Sequence, residues 1–471
     1  MYSYNPTFKK IINVFIELFF FFTIISTVYV FTYPFDGYLK IVAFASLFVE
    51  YVLFAYLFKS KIRKLLKSLL NKISKLSIKQ MLLIITLTML ILKIIFTIFF
   101  YFDPANGDGD ITIYANIADH IVSGNNDSAE ISHLLGIGYH LALFKLLNIP
   151  YHIGIFVVFL LGTIINFFSF EKIVGKDKTF LLIMIYILMP STTLLTFCPT
   201  HELFVYLYFS LFIFLFYMIC THKKQSTAFL LCIPLLLITV LADFVSPMAK
   251  ILYIIIVLAC LLSNLEVFKK IAIIVVLVLS IFTSSTITKA LNPNTIVTDL
   301  NTYYILVRGS SVETRGEHVD KYTSKKVYEY LDKHGWEFSS ENELIVIKEI
   351  LIDQYIYLLT HPIECIKLLA HKYYVIWSGD HYSVEIAHYY KAFNDYVYYT
   401  FLAISAIIYL FVLTCAEAYY KKKEDDITIS NNKLLLLGIV GVLLVSLVLN
   451  KYSVYATIFI YLISFYRSDF E

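Results

Sequence analysis

The sequence predicts an all-α protein that crosses a membrane many times. Of its 471 residues, 59% are hydrophobic and only 15% are charged, and the mean hydropathy is +0.75. A soluble domain cannot keep that much apolar surface away from water. Stretches of about 20 apolar residues also recur along the chain, and this is the length that a helix needs to cross a hydrocarbon core of about 30 Å. We therefore expect a polytopic protein with about 12 transmembrane helices (roughly 11 to 13).

Apolar windows separated by Pro, Gly and charged residues set the predicted spans. They lie near residues 11–32, 38–58, 81–101, 151–170, 179–197, 203–219, 227–243, 250–264, 270–288, 398–418, 433–450 and 453–467. The first window is long and lacks a small-residue cleavage site, so it is predicted to be a span and not a cleaved signal peptide. The six cysteines show no paired spacing, which predicts neither disulfides nor a cysteine metal cluster.

Clusters of basic residues predict the orientation, because Lys and Arg favour the cytoplasmic side. Residues 59–79 hold eight basic residues and no acid. Their apolar positions recur with a helical period, so we expect an amphipathic helix on the inner leaflet with its lysines near anionic head groups, the alternative being a solvated basic linker. The basic stretches at 171–178, 221–225, 268–270 and 421–426 fall on the same side when twelve spans are counted. Both termini are then cytoplasmic.

The spans divide the chain into four predicted parts with one important outer loop. These are residues 1–80 (two spans and the basic helix), 81–288 (a membrane core with an outer loop at 102–133), 289–397 (a small α-helical extracytoplasmic segment) and 398–471 (the C-terminal spans). The segment 289–397 carries fifteen acidic and eleven basic residues in helical patterns. We expect 133–150 to form a helix in the outer interface instead of a short span, because His140 and Lys145 are costly in lipid.

The outer loop at 102–133 concentrates acid next to the membrane. No Lys or Arg occurs between Lys93 and Lys145, whereas Asp108 and Asp110 stand close together. Turn formation at Asp-Gly and Asp-Pro is the alternative explanation for acids in such a loop, and it explains these two aspartates less well than their neighbours. A helix is expected to start near Asp110 and to carry Tyr114 on its apolar face.

The stretch GDGDITIYANIADHIVSG, with Asp110, Tyr114 and Gly124, resembles the first outer loop of the GT-C glycosyltransferases. These are multi-span enzymes that use polyprenyl-phosphate sugars, and the likeness is to the protein-mannosyltransferase-like (glycosyltransferase family 39-like) and aminoarabinose-transferase-like branch. There an acid stands four positions before a Tyr, and a second acid directly follows the first. Ile111 occupies that second place here, so Asp108 is the candidate second acid, and which Asp is the base stays open.

Further stretches resemble the same family. MPSTTLLTFCPTHELFVYLYF resembles a Pro-bearing span followed by a lumenal Glu, 306–320 resembles a Gly-spaced outer loop, and Lys451 stands where the last span usually has an Arg. The resemblance implies roles in binding the substrate or its phosphate for Tyr114, His201, Glu202, Arg308, Arg315 and Lys451. An ordinary surface or snorkelling charge is the alternative for each cation, including Lys250. Asp243 is either a further acid of the site or a plain helix end.

The resemblance implies an inverting glycosyltransferase of the bacterial plasma membrane. One Asp takes a proton from the acceptor hydroxyl, and a cation or helix N-terminus receives the charge of the leaving phosphate. The implied partners are a polyprenyl-phosphate-linked sugar donor, an extracytoplasmic glycan, lipid or protein acceptor, and membrane lipids. No nucleic acid is expected, and no metal site, although several acids at one place leave a divalent cation possible.

Two other functions fit the same composition. A polysaccharide polymerase or ligase of the cell envelope also has about a dozen spans, but it would place its essential residues in 289–397. A transporter or flippase of lipid-linked sugars would show charged or helix-breaking residues at mid-membrane in paired halves. Only Lys93, Pro190 and Pro234 interrupt the apolar windows in that way, and no internal repeat accompanies them.

Overall fold

The computed structural model describes residues 37–103, 110–124, 135–222, 224–246, 266–291, 295–314, 320–377 and 382–405, with a few isolated positions outside these ranges. This part of the chain is helical and contains no strand, which confirms the predicted all-α class. The helices are α1 (Gly37–Ile73), α2 (Ile78–Phe99), α3 (Asp110–Ser123), α4 (Leu135–Leu146), α5 (Tyr151–Val174), α6 (Lys176–Ile187), α7 (Pro190–Leu195), α8 (Glu202–Thr221), α9 (Gln225–Val245), α10 (Val267–Leu291), α11 (Thr295–Ser310), α12 (Asp320–His334), α13 (Ser340–Thr360), α14 (Pro362–Trp377) and α15 (Tyr382–Tyr389).

Five helices in the described part are long and apolar enough to cross a membrane. They are α2, α5, α8, α9 and α10, and they match the windows predicted at 81–101, 151–170, 203–219, 227–243 and 270–288. The window at 398–418 is described only as far as a helical stretch that ends at 405, and most of 11–32 and all of 250–264, 433–450 and 453–467 lie outside the described residues. The full count of twelve stays a prediction.

Helix α1 differs from the prediction of a span followed by a separate basic helix. It runs without interruption for 37 residues, from Gly37 to Ile73. At 1.5 Å per residue it is about 55 Å long, which exceeds the 40 to 45 Å of a whole bilayer. The chain turns at 74–77, and Ser77 then caps α2 through a reciprocal pair of hydrogen bonds with Gln80.

Contacts between loops define one end of the helical bundle, here called the lysine end. Lys176 Nζ donates hydrogen bonds to the carbonyl oxygens of Ser74 (3.1 Å) and Leu76 (2.9 Å). Lys269 Nζ donates to the carbonyl oxygen of His222 at 2.8 Å. These bonds bring the basic stretches near 59–79, 171–178, 221–225 and 268–270 into two local groups at helix ends, in agreement with their predicted placement on one side.

The opposite end of the bundle is here called the Glu202 end, after the residue that begins α8. The Ser383 hydroxyl of α15 donates to the carbonyl oxygen of Ser191 at 2.6 Å, and the rings of Phe102 and Tyr390 stack with centroids 6.2 Å apart. The residues that follow α2, the segment around α7 and α15 therefore meet at this end. Helices α3 and α4 pack against each other, and α4 also packs on α5 and α9.

Helices α5 and α8 run in the same direction. Ser169 Oγ of α5 donates to the Ser210 carbonyl of α8 at 3.5 Å, and nearer the lysine end the Tyr217 hydroxyl donates to the Lys172 carbonyl at 3.4 Å. The intervening chain must therefore return along the bundle, which it does as α6 and α7. The predicted span at 179–197 is thus a broken segment and not one continuous helix.

Pro190 accounts for the break. A proline disfavours the helical conformation for the residue before it, and Met189 has extended dihedrals (φ −70°, ψ 128°). Pro190 itself takes the first position of α7, where its missing N–H costs nothing.

Helix α4 is too short to span a membrane, since its 12 residues rise about 18 Å. This length agrees with the predicted interfacial helix.

Helices α11, α12 and α13 pack around a small apolar cluster of their own. Its buried members are Val307, Val327, Leu331, Val346, Ile347, Ile350 and Leu351. Helix α13 ends before His361, and α14 begins at Pro362. The helical character predicted for 289–397 is confirmed in the described residues, and we call α11 to α14 the cap helices.

Candidate functional site

The segment between α6 and α8 places buried polar groups at the Glu202 end. Every residue from Met189 to Thr200 is buried. Its buried hydroxyl residues are Ser191, Thr192, Thr193, Thr196 and Thr200. Among the described atoms, Ser191 Oγ and Thr200 Oγ1 have no hydrogen-bond partner. Buried polar groups are normally hydrogen-bonded, so these two hydroxyls have hydrogen-bonding capacity that the described atoms do not use.

Lys93 of α2 reaches into this segment. Its Nζ donates hydrogen bonds to Thr196 Oγ1 (2.8 Å) and to the Thr196 carbonyl oxygen (3.3 Å), and it lies 3.3 Å from the centroid of the Phe197 ring. The residue is only 7% exposed, and within the described residues it forms no ion pair with a carboxylate. A lysine inside an apolar span is costly in lipid, and the two hydrogen bonds and the aromatic face offset that cost.

An aromatic cluster surrounds the same point. The ring centroids of Tyr101, Phe102 and His152 lie 6.0, 5.6 and 6.2 Å from that of Phe197. Burial, with a smaller contribution from the negative charge of Asp103, raises the pKa of the Tyr101 hydroxyl. This hydroxyl therefore stays protonated at neutral pH and acts as a hydrogen-bond donor. Together with Lys93, the cluster combines one cation with flat apolar surfaces.

Glu202 supplies a buried carboxylate close to the same segment. It begins α8 and is 7% exposed. Its Oε1 lies 3.9 Å from His201 Nε2, whereas its Oε2 has no hydrogen-bond partner among the described atoms. The N-terminus of a helix stabilises a negative charge, which explains how this carboxylate is tolerated in a buried position. This buried oxygen therefore has an acceptor position that no described atom uses.

Helix α3 carries the acidic motif. It begins at Asp110 as expected, although the side chain of Asp110 and all of Asp108 lie outside the described part. Tyr114, one turn further on, is buried in the main apolar cluster together with Ala118. Asp119 lies on an exposed part of the helix and pairs with Lys145 of α4. The predicted helix is confirmed, and it packs its Tyr114 face onto the bundle.

Helix α4 is seated closely against its neighbours. A Cβ added at Gly136 would lie 1.9 Å from the carbonyl oxygen of Phe244 at the end of α9. His140, one turn later, contacts the Gly136 carbonyl through Nδ1 at 2.7 Å and bonds the Tyr208 hydroxyl through Nε2. Burial lowers the pKa of His140, against the opposing effect of the bond to Gly136. The imidazole is therefore held in its neutral form near pH 7.

The other predicted residues fall in different places. Arg308 lies in the last turn of α11, among the cap helices, with its guanidinium carbon 5.6 Å from the centroid of the Tyr304 ring. Asp243 is buried near the end of α9 and accepts a hydrogen bond from Ser284 of α10, so it links two helices. Arg315, Lys451 and Lys250 lie outside the described residues.

Lys93 is the site residue that the sequence reasoning did not include. The available signal was that Lys93 is the only charged residue of the predicted span at 81–101, and a charge inside a span is a functional hypothesis by default. For metal ions, the described residues contain no group of three or more His, Cys, Asp or Glu side chains close enough to share one.

No known protein family, curated protein sequence or solved structure matches this chain.

Proposed function

We propose that this chain is a membrane glycosyltransferase that transfers a sugar from a polyprenyl-phosphate donor to an extracytoplasmic acceptor. The observation that carries the proposal is the position of α3, which begins at Asp110 and packs its Tyr114 face into the apolar cluster that also contains Leu203 and Phe204 of α8. The basic stretches gather at the opposite ends of the helices. With the positive-inside rule, this arrangement supports our assignment of the acids to the non-cytoplasmic side of a plasma membrane.

The chemistry requires few groups. Asp110, or Asp108 in its place, acts as the general base that removes the proton from the acceptor hydroxyl as it attacks the anomeric carbon. The polyprenyl phosphate leaves with the bonding electron pair, so its charge must be stabilised by a positive group. Lys93, and His201 when protonated, provide positive charge at the Glu202 end. We assign Glu202, whose buried Oε2 has no hydrogen-bond partner among the described atoms, to a hydroxyl of the bound sugar.

The test is a set of single carboxylate substitutions. Asp110→Asn and Asp108→Asn are made separately, and Asp119→Asn serves as the matched control because it is the same change on an exposed part of α3. Transfer from labelled polyprenyl-phosphate sugar is measured in membranes. Loss of a general base is expected to reduce the rate by about 100-fold or more in one variant, with little change in the control.

Full activity in both Asp110→Asn and Asp108→Asn would overturn the proposal. If activity were instead lost in Arg308→Ala alone, a polymerase or ligase with its site in 289–397 would be favoured. Mass analysis of the lipid-linked sugars that accumulate in cells without the protein would identify the donor. Unchanged turnover in the presence of a chelator would support a metal-free reaction, and loss that manganese or magnesium restores would contradict it.

A further inference from the structure

A basic groove lies at the lysine end, far from the acidic helix α3. It is an open groove of about 640 Å³ on the last turns of α1 and the turn that follows. It is lined by Lys64, Lys67, Ser68, Asn71, Lys72, Ser74 and Lys75. The Ser74 hydroxyl already donates to the Asn71 carbonyl oxygen, and we call the other six residues the lysine groove. Four ammonium groups, a hydroxyl and an amide within one groove form a set of hydrogen-bond donors that suits a phosphate ester.

Five of the groove residues (Lys64, Lys67, Ser68, Asn71 and Lys72) share one face of α1, and Lys75 lies in the turn that follows. Their spacing of three, four and seven positions places them along a single stripe, because a helix has 3.6 residues per turn. Leu70 and Ile73 point elsewhere and are buried against the bundle. Leu65 and Leu69 lie beside the basic stripe and remain 59% and 38% exposed. A basic stripe next to exposed leucines is typical of a helix at a membrane interface.

The positive charge of the groove is not neutralised by the protein around it. No Asp or Glu occurs between Glu50 and Asp103 in the sequence. In the part of the chain that the structure describes, none of the four lysines takes part in an ion pair. Four like charges in a small volume repel one another, and an anion from outside the chain relieves that repulsion.

The position of the groove along the bundle favours a lipid over a soluble anion. Helix α2 starts at Ile78, only a few residues beyond the groove, and it is one of the helices long enough to cross a membrane. The groove therefore lies at the level where a span emerges from the lipid. The hydrogen bonds from Lys176 to the carbonyl oxygens of Ser74 and Leu76 hold this turn in place.

We propose that the lysine groove binds the headgroup of an anionic glycerophospholipid in the adjacent leaflet. The phosphate lies among the ammonium groups of Lys64, Lys67, Lys72 and Lys75, and the acyl chains run along the exposed leucines. This site is independent of glycosyl transfer, since it lies at the other end of the bundle from α3.

The experiment uses the full chain purified in a neutral detergent. Thermal unfolding is followed while short-chain phosphatidylglycerol, short-chain phosphatidylcholine, glycerol phosphate or inorganic phosphate is added. The test variant replaces the four groove lysines by Gln, and the matched control replaces four lysines of the cap helices, Lys325, Lys333, Lys348 and Lys367. Both variants lose the same charge. A third variant replaces the groove lysines by Arg.

We expect phosphatidylglycerol to raise the midpoint of unfolding for the wild type, the cap control and the Arg variant. Each basic residue at an anionic surface contributes about fivefold in affinity, so the Gln variant is expected to bind at least about 100-fold more weakly. Phosphatidylcholine is expected to have no such effect. Equal protection of the Gln variant and the wild type by phosphatidylglycerol overturns the proposal.

Two further results would also contradict binding of a lipid headgroup in the groove. If inorganic phosphate or glycerol phosphate protects the wild type at the same concentration as phosphatidylglycerol, the groove is a site for a soluble anion and not for a lipid. If the Gln variant does not fold, a salt titration of the wild type decides. Raising the salt from about 0.05 to 0.5 M must weaken the effect of phosphatidylglycerol by screening, and an unchanged effect contradicts the proposal.

Discussion

Replacing Gly136 by Ala tests how closely α4 is seated on the end of α9. The added Cβ would lie 1.9 Å from the Phe244 carbonyl oxygen, whereas ordinary van der Waals contact begins at about 3.4 Å. The two helices must therefore separate by about 1.5 Å, because a backbone carbonyl cannot rotate away as a side chain can. Overpacking of this kind costs about 3 kcal/mol, and the better helix propensity of Ala returns about 1 kcal/mol.

The expected net loss of stability is about 2 kcal/mol, or a few degrees in the midpoint of thermal unfolding. Gly138→Ala is the matched control on the same helix, because its Cβ would meet a side-chain atom, Ile117 Cγ2 at 2.3 Å, and not the backbone. Gly138→Ala combined with Ile117→Ala should recover part of any loss. No side-chain change can relieve Gly136→Ala. A Gly136→Ala protein as stable as the wild type would refute the close contact of α4 with α9.

Three further predictions concern buried polar groups. Ser284→Ala removes the donor to the buried carboxylate of Asp243 and should lower the free energy of unfolding by about 1.5–3 kcal/mol, measured by denaturant unfolding. Tyr304→Phe removes the donor to the buried Glu343 and should cost a similar amount, measured in the same way. Burial lowers the pKa of His140, so the unfolded chain takes up a proton at a higher pH than the folded chain does. The free energy of unfolding should therefore fall as the pH drops below about 6.5. His140→Asn should reduce this dependence on pH.

Matched controls separate these effects from general damage. Ser280→Ala lies on the same helix as Ser284, but among the described residues its hydroxyl bonds within its own helix, to the Leu277 carbonyl oxygen, so the change should cost much less. Tyr303→Phe lies beside Tyr304 and should be nearly neutral. Equal losses in a variant and its control, or parallel pH profiles for the wild type and His140→Asn, would contradict the assigned hydrogen bonds and the assigned titration.

Much of the bundle could be predicted because lipid imposes simple rules on sequence. A span must be long, apolar and helical, since backbone groups have no other partners in a hydrocarbon core, and α2, α5, α8, α9 and α10 follow these rules. The helix at Asp110 was also predictable, because its apolar positions repeat at the helical period. The break before Pro190 was harder to predict, since hydropathy does not distinguish a continuous helix from two short ones.

The candidate site was predicted only in part. Glu202 was identified through a resemblance. Its burial, and the lack of a hydrogen-bond partner for its Oε2 among the described atoms, depend on how α8 packs against neighbouring helices. Arg308 was ranked as a phosphate ligand, and the structure places it beside Tyr304 among the cap helices. Lys93 was passed over because nothing in the sequence shows that Thr196, more than a hundred residues later, provides its acceptors.

The sequence by itself determined the class of the protein, the location of its apolar helices and the concentration of acid and base in different loops. These properties depend on composition and on the local period of apolar residues, which packing does not change. Only the tertiary structure decided that α5 and α8 run in parallel with a broken segment between them, and that Lys93 meets Thr196 and Phe197. Contacts between distant residues depend on how helices cross, and no local pattern in a single amino-acid sequence encodes that crossing.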